Sequence, residues 1–154
     1  MDDMTIVRAI HVVAVLFWIG GVGFVTTVLM PTLTASERPE DRLRRFQQIE
    51  GRFAWQARLW VLLAGGSGLW MIWRADMWSR FADSRYWWMH LMAALWVVFA
   101  LMLFVIEPLH LHRRLAVTNR PEKDFSSMLR MHQLLLAFGI LTILGAVGGS
   151  HGLF

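Results

Sequence analysis

A chain of 154 residues that is 56% hydrophobic, with nine Trp and ten Phe, carries more apolar surface than one water-soluble domain can bury, so it reads as a single-domain integral membrane protein. The absence of cysteine removes disulfides, thiolate metal sites, iron–sulfur clusters and thioether-linked c-type haem. The net charge of +4 sits in short loops between apolar runs, where membrane orientation accounts for it, and no nucleic-acid partner is expected.

The first apolar run, residues 9–30, has no formal charge. At about 1.5 Å per residue it covers a bilayer core of ~30 Å. The preceding segment is acidic (Asp2, Asp3), the run is too long for a signal peptide's apolar region, and no cleavage pattern follows, so it is expected to be retained as a span over about 6–30. Pro31 should end it, because proline cannot continue the intrahelical hydrogen bonds. Residues 36–52 are strongly charged, yet Leu43, Phe46, Ile49 and Phe53 recur every three or four positions. That spacing predicts an amphipathic helix lying on the membrane surface and leading into the second span.

The second span is predicted over 53–74. Only 59–73 is uncharged, which is ~22 Å of helix, so Arg58 must lie inside the span. Arg58 either snorkels to the interface or meets an acid, and snorkelling is the plainer expectation. The third span is predicted over 86–107, stopped by Glu107-Pro108, and the fourth over 129–150. The fold class expected is therefore all-α: a four-transmembrane-helix bundle with an amphipathic cytoplasmic segment between helices 1 and 2. Arginine and lysine are concentrated in the first and third loops. Both should be cytoplasmic, with both termini periplasmic across a bacterial inner membrane. Trp78, Tyr86, Trp87 and Trp88 would form an aromatic belt at the outer interface. Glycines at 20, 21, 23, 65, 66, 68, 145 and 149 mean close helix packing or room for a flat cofactor, packing being the simpler reading of each.

Six histidines fall into two layers under this topology. His11, His90 and His151 lie toward the outer side, and His110, His112 and His132 toward the cytoplasm. An imidazole inside a span needs a partner, which makes His11 a functional-site hypothesis. His90 should lie at matched depth on the third span. Two such imidazoles can take the two axial faces of one non-covalent b-type haem. Arg8, Arg74 and Arg85 are then candidates for the propionates, since the guanidinium fork suits carboxylates, and Trp18 would wall the ring from water. His151 is the alternative partner for His11. The plain alternative for each histidine is a hydrogen bond to a carbonyl. His132 and His151 stand 19 residues apart, too far for two ligand layers on one helix, so one haem is expected rather than two. Glu107, His132 and Arg58 share a depth and could handle protons or a quinone head group, with Glu107 and His132 the catalytic candidates. An interfacial ion pair is the simpler reading. Met89/Met92 and Met128/Met131 are spaced for thioether ligation of Cu(I) but read more simply as core filler.

The run Arg8-Ala9-Ile10-His11, followed by Trp18-Ile19-Gly20-Gly21 and Phe24, resembles the opening helix of the CopD-like membrane proteins and of the related HemJ-type protoporphyrinogen oxidases. The resemblance implies a four-helix bundle and, in the HemJ-type branch, a b-type haem held by the first-span histidine, here His11. The function expected is haem-based electron transfer between the quinone pool and a periplasmic cytochrome or other redox protein. The alternatives are copper transport or tolerance of CopD type, and protoporphyrinogen oxidation. The lipid bilayer is the expected environment, and a second copy of the chain a possible homo-oligomeric partner.

Overall fold

The computed structural model describes residues 2–107 and 121–153. His110, His112, Arg113, Arg114 and Arg120 of the basic third loop lie outside the described residues. Among those described the chain is helical almost throughout, without strands. Three helices, Asp3–Ser36, Ser84–Ile106 and Glu122–Ser150, are long and apolar enough to cross a membrane.

Helix α1 spans Asp3–Phe24. Asp2 caps it, its carboxylate accepting from the Met4 N–H at 3.2 Å, and Asp3 adds charge against the helix dipole. Pro31 does not end this helix. The chain passes through a wide π turn, Val25–Leu29, into α2, Met30–Ser36. A proline ring clashes with the carbonyl four residues back in an ordinary α-turn. The π turn relieves this by hydrogen bonding five residues back, from the Met30 N–H to the Val25 carbonyl. Thr26 and Thr27 donate their hydroxyls to the carbonyls of Val22 and Gly23, at 2.7 and 2.8 Å, which steadies the distorted stretch.

Helix α3, Pro39–Arg74, is one unbroken helix of 36 residues, about 54 Å long. The expected surface helix and second span are therefore parts of a single element. No proline or turn cluster interrupts it. Its N-terminal apolar face is not laid on lipid: Leu43 and Phe46 are buried with Met30, Leu33 and Phe125. Two short 3₁₀ turns, Met77–Ala82 and Ser84–Tyr86, lead to α4, Trp87–Leu101, which continues through a second π turn, Met102–Ile106. Helix α5 is Pro121–Ser150.

The four long helices alternate in direction. His11 on α1 meets Ala64 on α3, while a Cβ at Gly21 would meet Phe53. Arg58 on α3 reaches Leu103 beyond α4, while Trp96 bonds Val61. Gly149 on α5 lies against Trp88 of α4, and Gly139 against Ile19 of α1. The core between them holds Ala14, Trp18, Val61, Ala64, Leu95 and Phe99. Gly65 and Gly149 sit under the rings of Trp96 and Trp88, so at these positions the missing side chain serves packing. Large apolar side chains face outward, among them Leu16 at 66% and Leu144 at 64% exposure. A water-soluble surface does not carry apolar groups on that scale, and lipid association accounts for them.

Candidate functional site

His11 is the anchor of the site. Its Nδ1 lies 3.0 Å from the Ala64 carbonyl and 3.0 Å from the Ser67 hydroxyl, both on α3. The carbonyl can only accept. The Ser67 hydroxyl spends its own proton on the Leu63 or Ala64 carbonyl, so toward His11 it too accepts. Both partners therefore place the imidazole proton on Nδ1. The Nε2 lone pair faces the other side of the ring and has no hydrogen bond among the described residues. These contacts hold the ring in one tautomer, with Nε2 as the nitrogen that carries the free lone pair. Gly68 permits it. A Cβ there would stand 3.2 Å from the His11 Cε1.

A cavity of about 280 Å³ opens beside His11, between α1, α4 and α5. Its walls include His11, Trp18, Met92, Leu95, Gly139 and Thr142, and they are almost wholly apolar. Thr142 is satisfied internally, donating to the Phe138 carbonyl at 2.7 Å. Trp18 is 5% exposed and packs edge-to-face on Phe99, with ring centroids 5.1 Å apart. Its indole N–H is buried and has no hydrogen-bond partner among the described residues. An unpaired buried donor costs roughly 1–3 kcal/mol.

His90 does not join His11. It is exposed, and both its nitrogens are engaged, Nδ1 with the Tyr86 carbonyl at 3.2 Å and Nε2 with the Phe81 carbonyl at 2.9 Å. Its ring stands edge-to-face with Phe81. The expected depth is nearly right. The contact of Trp18 with Phe99 sets α1 alongside α4, and seven residues back along both helices puts His11 level with Met92. His90 is only ~3 Å above that level, but two residues turn a helix by about 200°, which carries it to the opposite face. Met92 faces the cavity instead. His151 is exposed at the end of α5, its Nδ1 against the Val147 carbonyl at 2.8 Å, and does not line the cavity.

The three arginines do not form one rim. Arg74 pairs with Asp3 at 3.5 Å, tying the end of α3 to the start of α1. Arg85 pairs with Asp83 at 2.7 Å, and its hydrogen bonds hold the Asp83 carboxyl below the usual range. Arg8 is exposed and free of ion pairs and hydrogen bonds among the described residues.

At the other end of the bundle Arg58 does not snorkel. Its Nη2 is 3.3 Å from the Glu107 carboxylate, and its Nε donates to the Leu103 carbonyl at 3.1 Å. Leu103 lies in the second π turn, and the arginine gives its carbonyl a donor from a neighbouring helix. His132 takes its own place, Nδ1 on the Met128 carbonyl at 2.9 Å and its ring edge-to-face with Phe46. The predicted ion pair is thus present, while His132 is held by its own helix and by an aromatic contact.

Sequence reasoning missed Ser67 and Met92. Ser67 carried a signal, as a hydroxyl among glycines within an apolar run. Met92 was visible at i+3 from Met89 and read as filler. Comparison with protein-family models, with curated proteins and with solved structures found no match for this chain.

Proposed function

We propose that this chain is a four-span inner-membrane protein that holds one b-type haem against His11 and transfers electrons, between the quinone pool and a periplasmic redox protein. The single observation that carries the reading is the His11 imidazole, whose proton is pinned to Nδ1 by Ala64 and Ser67 while Nε2 has no partner among the described residues and the ring lines an apolar cavity. In this reading α3 is the fourth span, since it packs antiparallel along α1 and bonds to α4. The excess of Arg and Lys in the first and third loops puts those loops in the cytoplasm and both termini in the periplasm.

The donor types suit haem iron, and the cavity of about 280 Å³ would take one edge of the macrocycle, the rest extending through its open side. His11 would hold the iron through Nε2, and Met92, which lines the same cavity, would offer a thioether as a second donor. When bound, the haem supplies a one-electron couple. The chain's own residues do the rest. Ser67 and Ala64 hold the imidazole in one tautomer. Trp18, Leu95 and the apolar wall exclude water. The paired arginines leave Arg8 as the free cation for a propionate. The Glu107 carboxylate, held by Arg58, is the proton acceptor at the opposite end for a quinol, with His132 the other candidate.

One imidazole and one thioether also suit Cu(I), and Met92 is the observation that favours this second reading. An absorption spectrum of the purified protein separates the two. Haem gives a Soret band with sharp reduced α and β bands that His11→Ala abolishes. A colourless preparation that takes up Cu(I) through His11 and Met92 replaces the haem reading with the copper one. Turnover of protoporphyrinogen by the haem-loaded protein would move it to the biosynthetic class.

A further inference from the structure

A second concavity lies on the outer surface where α4 and α5 splay apart, separate from the His11 cavity except for the shared wall of Leu95. It is open to the surroundings and has a volume of about 660 Å³. From α4 it is lined by Leu91, Ala94, Leu95 and Val98, which fall on one helical face. From α5 it is lined by the stripe Ser127, Arg130, Met131, Leu134 and Phe138, at spacings that again make one face. The polar pair stands at one end of the stripe and the apolar residues run away from it.

Arg130 is the charged residue of this groove. It is exposed and has no ion pair or hydrogen bond among the described residues. The contrast with Arg58 is informative, because there the protein supplies both a carboxylate and a carbonyl. A guanidinium at the edge of hydrocarbon needs an anion, and at Arg130 the described residues supply none. Ser127, one turn earlier on the same face, adds a hydroxyl donor beside it. The length of the stripe fits one leaflet. Ser127 to Phe138 is eleven steps along α5, or ~16 Å, about half of a ~30 Å hydrocarbon core.

We infer that this groove is a binding site for one anionic phospholipid, with its phosphate on Arg130 and Ser127 and an acyl chain lying along Leu134, Phe138 and Val98. A neutral quinone would fill the apolar part but leave the guanidinium without its anion, so the phospholipid is the better occupant. Under the proposed orientation the site faces the cytoplasmic leaflet, where basic residues at helix ends recruit anionic lipid. The groove stands independently of whether His11 binds haem.

The test uses the full-length protein in detergent, titrated with phosphatidylglycerol or phosphatidylcholine of matched chains, with retained lipid counted by native mass spectrometry. The wild type should retain one phosphatidylglycerol about fivefold more strongly than phosphatidylcholine, the factor expected for one interfacial cation acting on an anionic headgroup. Arg130→Gln should equalise the two lipids, and Arg130→Lys should restore most of the preference. Leu134→Trp, which fills the groove and keeps the charge, should lower retention of both. The exposed position of Arg130 makes these variants folded proteins, checked by unchanged helical circular dichroism. Equal retention of the two lipids by the wild type would overturn the inference. So would a phosphatidylglycerol preference that survives Arg130→Gln, or displacement of the bound lipid by a short-chain neutral quinone at equimolar concentration.

Discussion

Glu107→Gln is the sharpest test of the inter-helix contacts. The substitution keeps size and hydrogen-bonding capacity but removes the charge 3.3 Å from the Arg58 guanidinium. Arg58 would keep its bond to the Leu103 carbonyl, so the loss is of a charge partner and not of every partner. Breaking a fully buried pair costs about 3–5 kcal/mol, whereas fully exposed pairs are worth ~0–1 kcal/mol. The Arg58 side chain is 34% exposed and that of Glu107 17%, which sets this pair between the limits. Discounted for that exposure, the expected loss is about 1–2 kcal/mol. The assay is equilibrium unfolding in mixed micelles followed by tryptophan fluorescence, with Arg58→Met and the double variant completing a cycle. The double variant should lose less than the sum of the singles, with a coupling of about 1 kcal/mol. Arg44→Gln is the control, because Arg44 is 71% exposed in its pair with Asp41, and it should cost no more than ~1 kcal/mol. A Glu107→Gln protein as stable as wild type, with zero coupling, would refute the pair and return Arg58 to a snorkelling role.

Neighbouring glycines should respond in opposite directions. A Cβ at Gly65 meets the Trp96 indole, which is fixed by its 2.8 Å bond to the Val61 carbonyl, so Gly65→Ala should cost about 1–3 kcal/mol. Gly66 has open space around it, and Gly66→Ala should be neutral or stabilise by up to ~1 kcal/mol, both read by the same unfolding assay. Ser67→Ala leaves His11 with one acceptor in place of two, and ligand affinity should fall roughly 10-fold or more while the fold stays intact, as read by loss of bound chromophore on dilution. The Asp83 carboxyl is held low by hydrogen bonds from Arg85, so its titration followed by NMR should centre below that of an ordinary aspartate. A depressed carboxyl contributes its stabilisation above its unfolded-state pKa and loses it as pH falls through the folded value. The turn Ser84–Tyr86 should therefore loosen only in acid below the usual carboxylate range, and Arg85→Met should move the midpoint back up.

Much of the fold could be read from the chain, and the failures have physical causes. The long helices follow from run lengths and from the position of charges. Pro31 was misplaced as a stop because proline's effect depends on the turn before it. Here a π turn and two threonine hydroxyls absorb the ring, and nothing in the hydropathy pattern reports that. Arg58 and Glu107 could be matched by depth, but the Leu103 carbonyl could not, because a backbone acceptor on a helix far along the chain leaves no mark in the sequence. His90 failed through rotation and not through depth. A helix that is apolar all round gives no stripe from which to fix its azimuth. Two residues of error in facing exchange His90 for Met92. Trp18 lines the same cavity as His11 because it shares a face with it at i+7, independent of any other helix.

The central claim is that His11 presents Nε2 to a haem in the cavity between α1, α4 and α5. The most direct measurement is the reduced-minus-oxidised absorption spectrum of the purified protein and its His11→Ala variant, each expressed with haem in excess. A b-type spectrum is expected in the wild type, lost in His11→Ala and retained in His90→Ala. A colourless wild type, or a spectrum unchanged by His11→Ala, would contradict it.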